Sequence, residues 1–158
     1  MKKFEFTGET KTISLFFRTA TLHRIRAVAE FGLVKIGDLG GWIEKEENLS
    51  HEGKAWVCGN AEVWGDAKVC GNAEVFSASH VLVIGAIGSR DDFTTFFRDK
   101  DNEITVKCGC FLGKIDKFLE KVTQTHGDSK YALVYRAAVE VARLQIDLLG
   151  EAPKDADE

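Results

Sequence analysis

The sequence is poor in the features that mark a membrane protein or a specialised polymer. No apolar run approaches the roughly 20 residues that a bilayer span requires. One proline stands against 15 glycines in 158 residues. Little charge is left uncompensated, because 21 Lys and Arg against 25 Asp and Glu leave −4. That mild acidity argues against a general nucleic-acid-coating surface. The opening Met1-Lys2-Lys3-Phe4-Glu5-Phe6 has no apolar stretch of the signal-peptide kind, so a cytoplasmic protein is expected. What is present is 44% hydrophobic and 29% charged residues, which excludes collagen-like, fibrous and wholly disordered chains. The length suits one domain, or one small domain with a satellite, and allows a genuine core.

From Gly53 the spelling repeats every six residues. Gly53-Lys54-Ala55-Trp56-Val57-Cys58 is followed by Gly59-Asn60-Ala61-Glu62-Val63-Trp64, then by Gly65-Asp66-Ala67-Lys68-Val69-Cys70 and Gly71-Asn72-Ala73-Glu74-Val75-Phe76. A degenerate copy, Ser77-Ala78-Ser79-His80-Val81-Leu82, ends the series. A six-residue period places successive valines on different faces of a helix, and a glycine in every copy weakens a helix further. A short strand and a tight turn in each copy satisfy both facts: Ala and Val alternate inward, and Gly with Asn or Asp turns.

This spelling resembles the hexapeptide repeat of left-handed β-helices, in which three hexads make one triangular coil. Leu22-His23-Arg24-Ile25-Arg26-Ala27 and Gly37-Asp38-Leu39-Gly40-Gly41-Trp42-Ile43-Glu44 resemble the lead-in of hexapeptide-repeat proteins of phages and gut bacteria. Ile87-Gly88-Ser89-Arg90, Cys108-Gly109-Cys110-Phe111 and Thr125-His126-Gly127-Asp128 are similar to the C-terminal module of that group. The resemblance implies a solenoid in which residues 18 apart stack: Val57 on Val75, Val63 on Val81, Ala55 on Ala73. Cys58 and Cys70 then fall on different faces, too far apart for a disulfide. So few coils need capping. The residues after each valine (Cys58, Trp64, Cys70, Phe76 and Leu82) are expected to point outward although they are apolar. Cover from flanking segments or from other subunits follows, and the resemblance favours a trimer.

Beyond the repeat, Phe93–Arg98 and Glu103–Cys108 read as a β-hairpin across Asp99-Lys100-Asp101-Asn102. Ile115, Phe118, Leu119 and Val122 keep helical spacing, so a helix is expected over about 114–125, closed by Gly127, with Asp128 or Ser129 capping the next. That second helix, about 130–149, carries Arg136, Glu140, Arg143 and Asp147 as one polar stripe on a cylinder otherwise widely apolar, which again points to a partner subunit. The tail Glu151–Glu158 is expected to be disordered.

Chemistry is less marked. Cys108-x-Cys110 with His126 lacks the spacing and fourth ligand of a zinc site, and no metal is expected. His23, His51, His80 and His126 stand in no catalytic signature, although the resemblance makes acyl transfer the enzymatic alternative. Gly85-Ala86-Ile87-Gly88-Ser89-Arg90 lacks a Walker ending, yet Ser89 and Arg90 suit an anion. Residues Gly109 to Lys114, with Cys110, lead into a helix N-terminus that would favour negative charge. Tyr131 and Tyr135 suit stacking on a base.

The expectation is therefore a mainly β protein: a short left-handed β-helix with N-terminal strands (1–86), a small α+β module of hairpin and two helices (87–150), and an acidic tail (151–158). Its expected function is non-enzymatic: an oligomeric accessory protein of phage type that binds or sequesters a small anionic, nucleotide-like host ligand in counter-defence. The expected ligand residues are Ser89, Arg90, Cys110, Lys114, His126, Tyr131 and Tyr135, with no cofactor. A host protein is a possible partner. The alternatives are a structural or protein-interaction oligomerisation module and, behind it, a hexapeptide-type acyltransferase.

Overall fold

The structure is a computed structural model and describes residues 2–15 and 18–148. The expected disordered tail and Leu149 lie outside the described residues. Three strands open the chain: β1 (Phe4–Ser14), β2 (Thr19–Ala27) and β3 (Leu39–Ile43), with β2 antiparallel to both β1 and β3. The hexads contribute strands of only two residues: β4 (Trp56–Val57), β5 (Glu62–Val63) and β6 (Glu74–Val75). Then come β7 (Val81–Ile87), β8 (Asp92–Arg98), β9 (Ile104–Cys108) and β10 (Phe111–Lys114), followed by α1 (Ile115–His126) and α2 (Lys130–Gln145).

A left-handed β-helix is not what these elements make. They form three separate sheets, ordered β1-β2-β3-β5, β10-β9-β8-β7 and β4-β6, with two helices. Among the described residues no continuous or closed β-helix runs through the hexads. The reason lies in where successive hexads find partners. Val57 does pair in parallel with Val75, 18 residues on, and the Trp56 N–H donates to the Ala73 carbonyl at 3.1 Å. Val63, however, pairs with Ile43 of β3, so its hexad joins the N-terminal sheet. Val81 does not stack on Val63; it pairs with Phe97 and starts β7 of the helix-bearing sheet. Only β4 and β6 pair with each other alone; the two-residue β5 adds to the edge of the longer β3, and the last hexad extends into the long β7.

The inward alternation is nevertheless real. Ala55, Val57, Ala61, Val63, Ala67, Val69, Ala73 and Val75 are all buried, in one cluster with Phe4, Ile25, Ile43 and Phe97. The four hexad glycines turn with φ of +71, +62, +66 and +67°, a region that side chains with a Cβ resist. Of the expected outward row, Trp64 is exposed, while Cys58, Cys70, Phe76 and Leu82 are half-buried under segments of the same chain. A second cluster lies between the sheet of β7–β10 and the two helices, around Phe96, Val106, Phe118, Tyr135 and Val139. Strand β8 separates the two cores: Phe97 faces the first and Phe96 the second.

The hairpin forms as spaced, with Thr94 opposite Cys108 and Arg98 opposite Ile104. Gly127 ends α1 at φ +58°. Ser129 occupies the cap position of α2 without a side-chain bond; its carbonyl accepts from the Leu133 N–H. The last turn expected of α2 is absent, because Ile146 leaves in extended conformation and is itself buried. No helix among the described residues is long and apolar enough to cross a membrane.

Candidate functional site

The β7–β8 turn, the β9–β10 turn and the C-terminal half of α1 meet over α2 around a cavity of about 220 Å³. Five of the seven residues expected to bind a ligand line it: Ser89, Arg90, Cys110, His126 and Tyr135. They come from four separate elements and loops, which is why they converge only in the folded chain.

The floor is aromatic. Phe118 meets Tyr135 edge-on at 5.7 Å between ring centroids and Phe111 at 5.5 Å. His126 stacks on Tyr135 at 5.7 Å and 26°. The Tyr135 hydroxyl is wedged against Gly88, where a Cβ would fall 1.9 Å from it. Burial, followed by the neighbouring Cys108 thiol and Asp92, pushes the phenol up to about 12, so it stays protonated as a donor. The Thr94 hydroxyl donates to the Cys108 sulfur at 3.3 Å.

The mouth is cationic on balance. Arg90 and Lys121 line it with one carboxylate, Asp92. The Arg90 guanidinium lies along the β9–β10 turn, 3.6 Å from the Cβ position of Gly109. Among the described residues neither Arg90 nor Lys121 has an ion-pair partner within 4.0 Å. Unpaired cations beside an apolar ring socket suit a ligand with one flat, weakly polar part and one anionic part.

Two expected residues stand elsewhere. Lys114 does not reach the cavity. Its ammonium is held at the other end of α1 by Asp101 at 2.8 Å, by Asp99 at 3.4 Å and by Glu103. Three carboxylates outcompete a distant ligand for one lysine. Tyr131 is exposed beside His126, at 5.8 Å between rings, but does not line the cavity. The helix N-terminus expected to attract an anion is displaced too. The cavity adjoins the C-terminal half of α1, whose dipole disfavours negative charge, so the side-chain cations must supply the attraction.

Lys121, Asp92, Cys108, Phe111 and Phe118 also line the cavity without having been picked out as ligand residues. A signal existed for one pair: Lys121 and Thr125 flank the buried Phe118 and Val122 at helical spacing, so the polar edge of α1 borders its core stripe. The ligand atoms of Cys108, Cys110 and His126 do not converge. Among the described residues the one converging set of metal-type ligands is Asp99, Asp101 and Glu103, the set that surrounds Lys114.

The histidines differ sharply in setting. His51 stacks on Phe4 and accepts from the Lys3 N–H at 3.0 Å. His23 stacks on Phe6, and His80 is buried beside Phe76. His126 alone among them lines the cavity. An adjoining cleft of about 310 Å³ mixes Asp66, Asp91 and Asp92 with Lys68 and Lys107, so its charges offset one another. A scan of protein-family models finds no match to the chain, and a search of curated proteins finds none either.

Proposed function

We propose that this protein is a non-enzymatic binding protein, and that the cavity between the β7–β10 sheet and the helices takes a small anionic, nucleotide-like ligand. The observation that carries this reading is the pairing of an aromatic floor (Phe118, Tyr135) with two cations lacking ion-pair partners among the described residues, Arg90 and Lys121, at one mouth. The cavity is smaller than the roughly 300–1,000 Å³ of ordinary ligand pockets. A single ring enters, and the phosphate stays at the rim, where Arg90 and Ser89 meet it. The resemblance of the lead-in and C-terminal words to phage proteins favours an accessory role that removes a host ligand in the cytoplasm. The four free cysteines suit a reducing compartment.

The test is calorimetric titration of the intact protein with a panel of purine and pyrimidine mononucleotides, alongside native mass spectrometry of freshly purified chain. Arg90→Ala and Lys121→Ala should each weaken binding about tenfold, or about 1.4 kcal/mol, and raising salt should weaken it further. Binding of no nucleotide, or binding indifferent to both substitutions, overturns the reading.

A second reading, a protein-interaction module, is favoured by one specific observation: Leu133, Ala137, Val141 and Leu144 form an exposed apolar row along α2, beside the exposed Glu140 and Arg143.

A further inference from the structure

A larger cavity, of about 640 Å³, lies on the hexad half of the molecule and shares no residue with the cavity over α2. Its walls come from the β2–β3 loop and the start of β3, from the chain around β4 and β6, and from the β8–β9 turn. The volume falls within the roughly 300–1,000 Å³ of ordinary ligand pockets. The β2–β3 loop turns tightly: Gly32 has φ +54°, and Phe31 and Val34 exchange backbone hydrogen bonds at 3.1 and 2.8 Å. Phe31 meets Trp56 edge-on at 5.4 Å between ring centroids, and Phe76 adds a third aromatic side chain to the lining. Leu33 and Leu39, in the same lining, are exposed, apolar surface that the chain itself leaves to water.

The charges around the cavity are unequally engaged. Lys54 and Lys100 are both tied to the backbone beside Asn72: the Lys54 N–H donates to the Gly71 carbonyl at 3.1 Å and the Lys100 N–H to the Asn72 carbonyl at 3.0 Å. Neither ammonium has an ion-pair partner within 4.0 Å among the described residues. The two carboxylates of the lining are already occupied. Asp38 accepts from the Lys35 N–H at 2.9 Å, and Glu74 lies 3.5 Å from the guanidinium of the buried Arg98. Arg98 lies over the Phe76 ring, with its Nη2 lacking a hydrogen-bond partner among the described residues, and so adds positive potential beside that ring. Burial, with Glu74 nearby, pushes the Cys58 thiol up to about 11, so this part of the lining is neutral at physiological pH.

We propose that this cavity binds a flat aromatic monocarboxylate of two or more fused rings, with its rings among Phe31, Trp56 and Phe76 and its carboxylate on Lys54 and Lys100. Each part of such a ligand answers to a part of the lining. Three aromatic side chains select a planar apolar body, and the volume exceeds what a single ring fills. Two lysines without counter-ions supply point charges for a compact anion. Asp38 and Glu74, in the same lining, repel a polyphosphate chain and so limit the favoured ligand to one negative charge. The inference does not rest on the nucleotide reading of the cavity over α2.

Titration of the intact protein with naphthalene-2-carboxylate, followed by calorimetry and by tryptophan emission, tests it. A single equivalent should bind saturably, with Kd below about 1 mM, and the neutral naphthalene-2-carboxamide about tenfold more weakly. The double variant Lys54→Ala/Lys100→Ala alters two exposed side chains, so its circular dichroism should be unchanged while acid and amide now bind alike. Trp56→Phe should remove most of the emission change while calorimetry still detects binding. Arg90→Ala, in the other cavity, should leave the affinity within about twofold. Four results would each overturn the assignment: no saturable binding, a preference for acid over amide that survives loss of both lysines, an emission change that survives Trp56→Phe, or loss of binding in Arg90→Ala.

Discussion

The Nδ1 atom of His80 accepts a hydrogen bond from the Phe76 N–H at 3.0 Å, so the ring is held neutral with its proton on Nε2. Burial, helped by the nearby Arg98 guanidinium and opposed by Asp147, pushes its pKa below the ordinary 6.5. The unfolded chain therefore takes up this proton before the folded one does. Stability from this group is intact above pH 6.5 and declines as the pH falls toward the folded value. Lys3 acts in the same sense on the alkaline side. It is buried, with its Nζ donating to the Ala55 carbonyl at 2.7 Å, and burial pulls its pKa down to about 8. Stability should therefore rise again as the pH climbs from about 8 toward 10.5, because the unfolded chain holds that proton longer. Urea denaturation across the pH range should show both limbs. His80→Gln should flatten the acid limb alone; an unchanged acid limb would refute the assignment.

The hexads rest on two-residue strands, so their stability lies in turn glycines and inward alanines and valines. Gly53 and Gly65 separate the two contributions of a turn glycine. Both have positive φ, but a Cβ at Gly65 meets nothing within 4 Å, whereas at Gly53 it falls 2.9 Å from the Gly71 carbonyl oxygen. Gly65→Ala should cost about 1 kcal/mol of backbone strain, and Gly53→Ala clearly more, because the parallel neighbour must also move. Val75→Ala, at a fully buried position, should cost about 2 kcal/mol by thermal melting. The six-residue spelling made the inward and outward alternation legible, and with it the pairing of Val57 with Val75. It did not make legible which sheet each hexad would join, because that is decided by strands more than ten residues away: β3 captures Val63 and β8 captures Val81. For the same reason Arg90 and Tyr135 stood out by residue type and Lys121 borders the core stripe of α1, whereas Asp92 emerges only once four separate segments are folded together. Lys114 stood out by type too, and the carboxylates of Asp99, Asp101 and Glu103, brought to it by the β8–β9 hairpin, claimed it.

At the scale of the whole molecule, the two cores share one strand. β8 sends Phe97 into the hexad core and Phe96 under the helices, both fully buried. Polar bonds cross at the same place. The buried Arg98 donates to the Glu74 carbonyl at 3.2 Å, the Lys68 N–H to the Thr95 hydroxyl at 3.0 Å, and the Lys100 N–H to the Asn72 carbonyl at 3.0 Å. Neither half can open without stripping an apolar face of β8 and leaving these groups unpaired, so the two should unfold together. The chain carries its own pair of probes. All three tryptophans, Trp42, Trp56 and Trp64, belong to the N-terminal half, whereas both α-helices follow Lys114. Tryptophan emission and helical circular dichroism should therefore give coincident denaturation curves. Phe97→Ala, which empties a site in the hexad core, should cost about 3–4 kcal/mol and shift both curves equally, although the helices lie on the other face of the strand. If the tryptophan transition moved while the helical signal stayed in place, β8 would be a boundary between independent units instead of the element that makes them one.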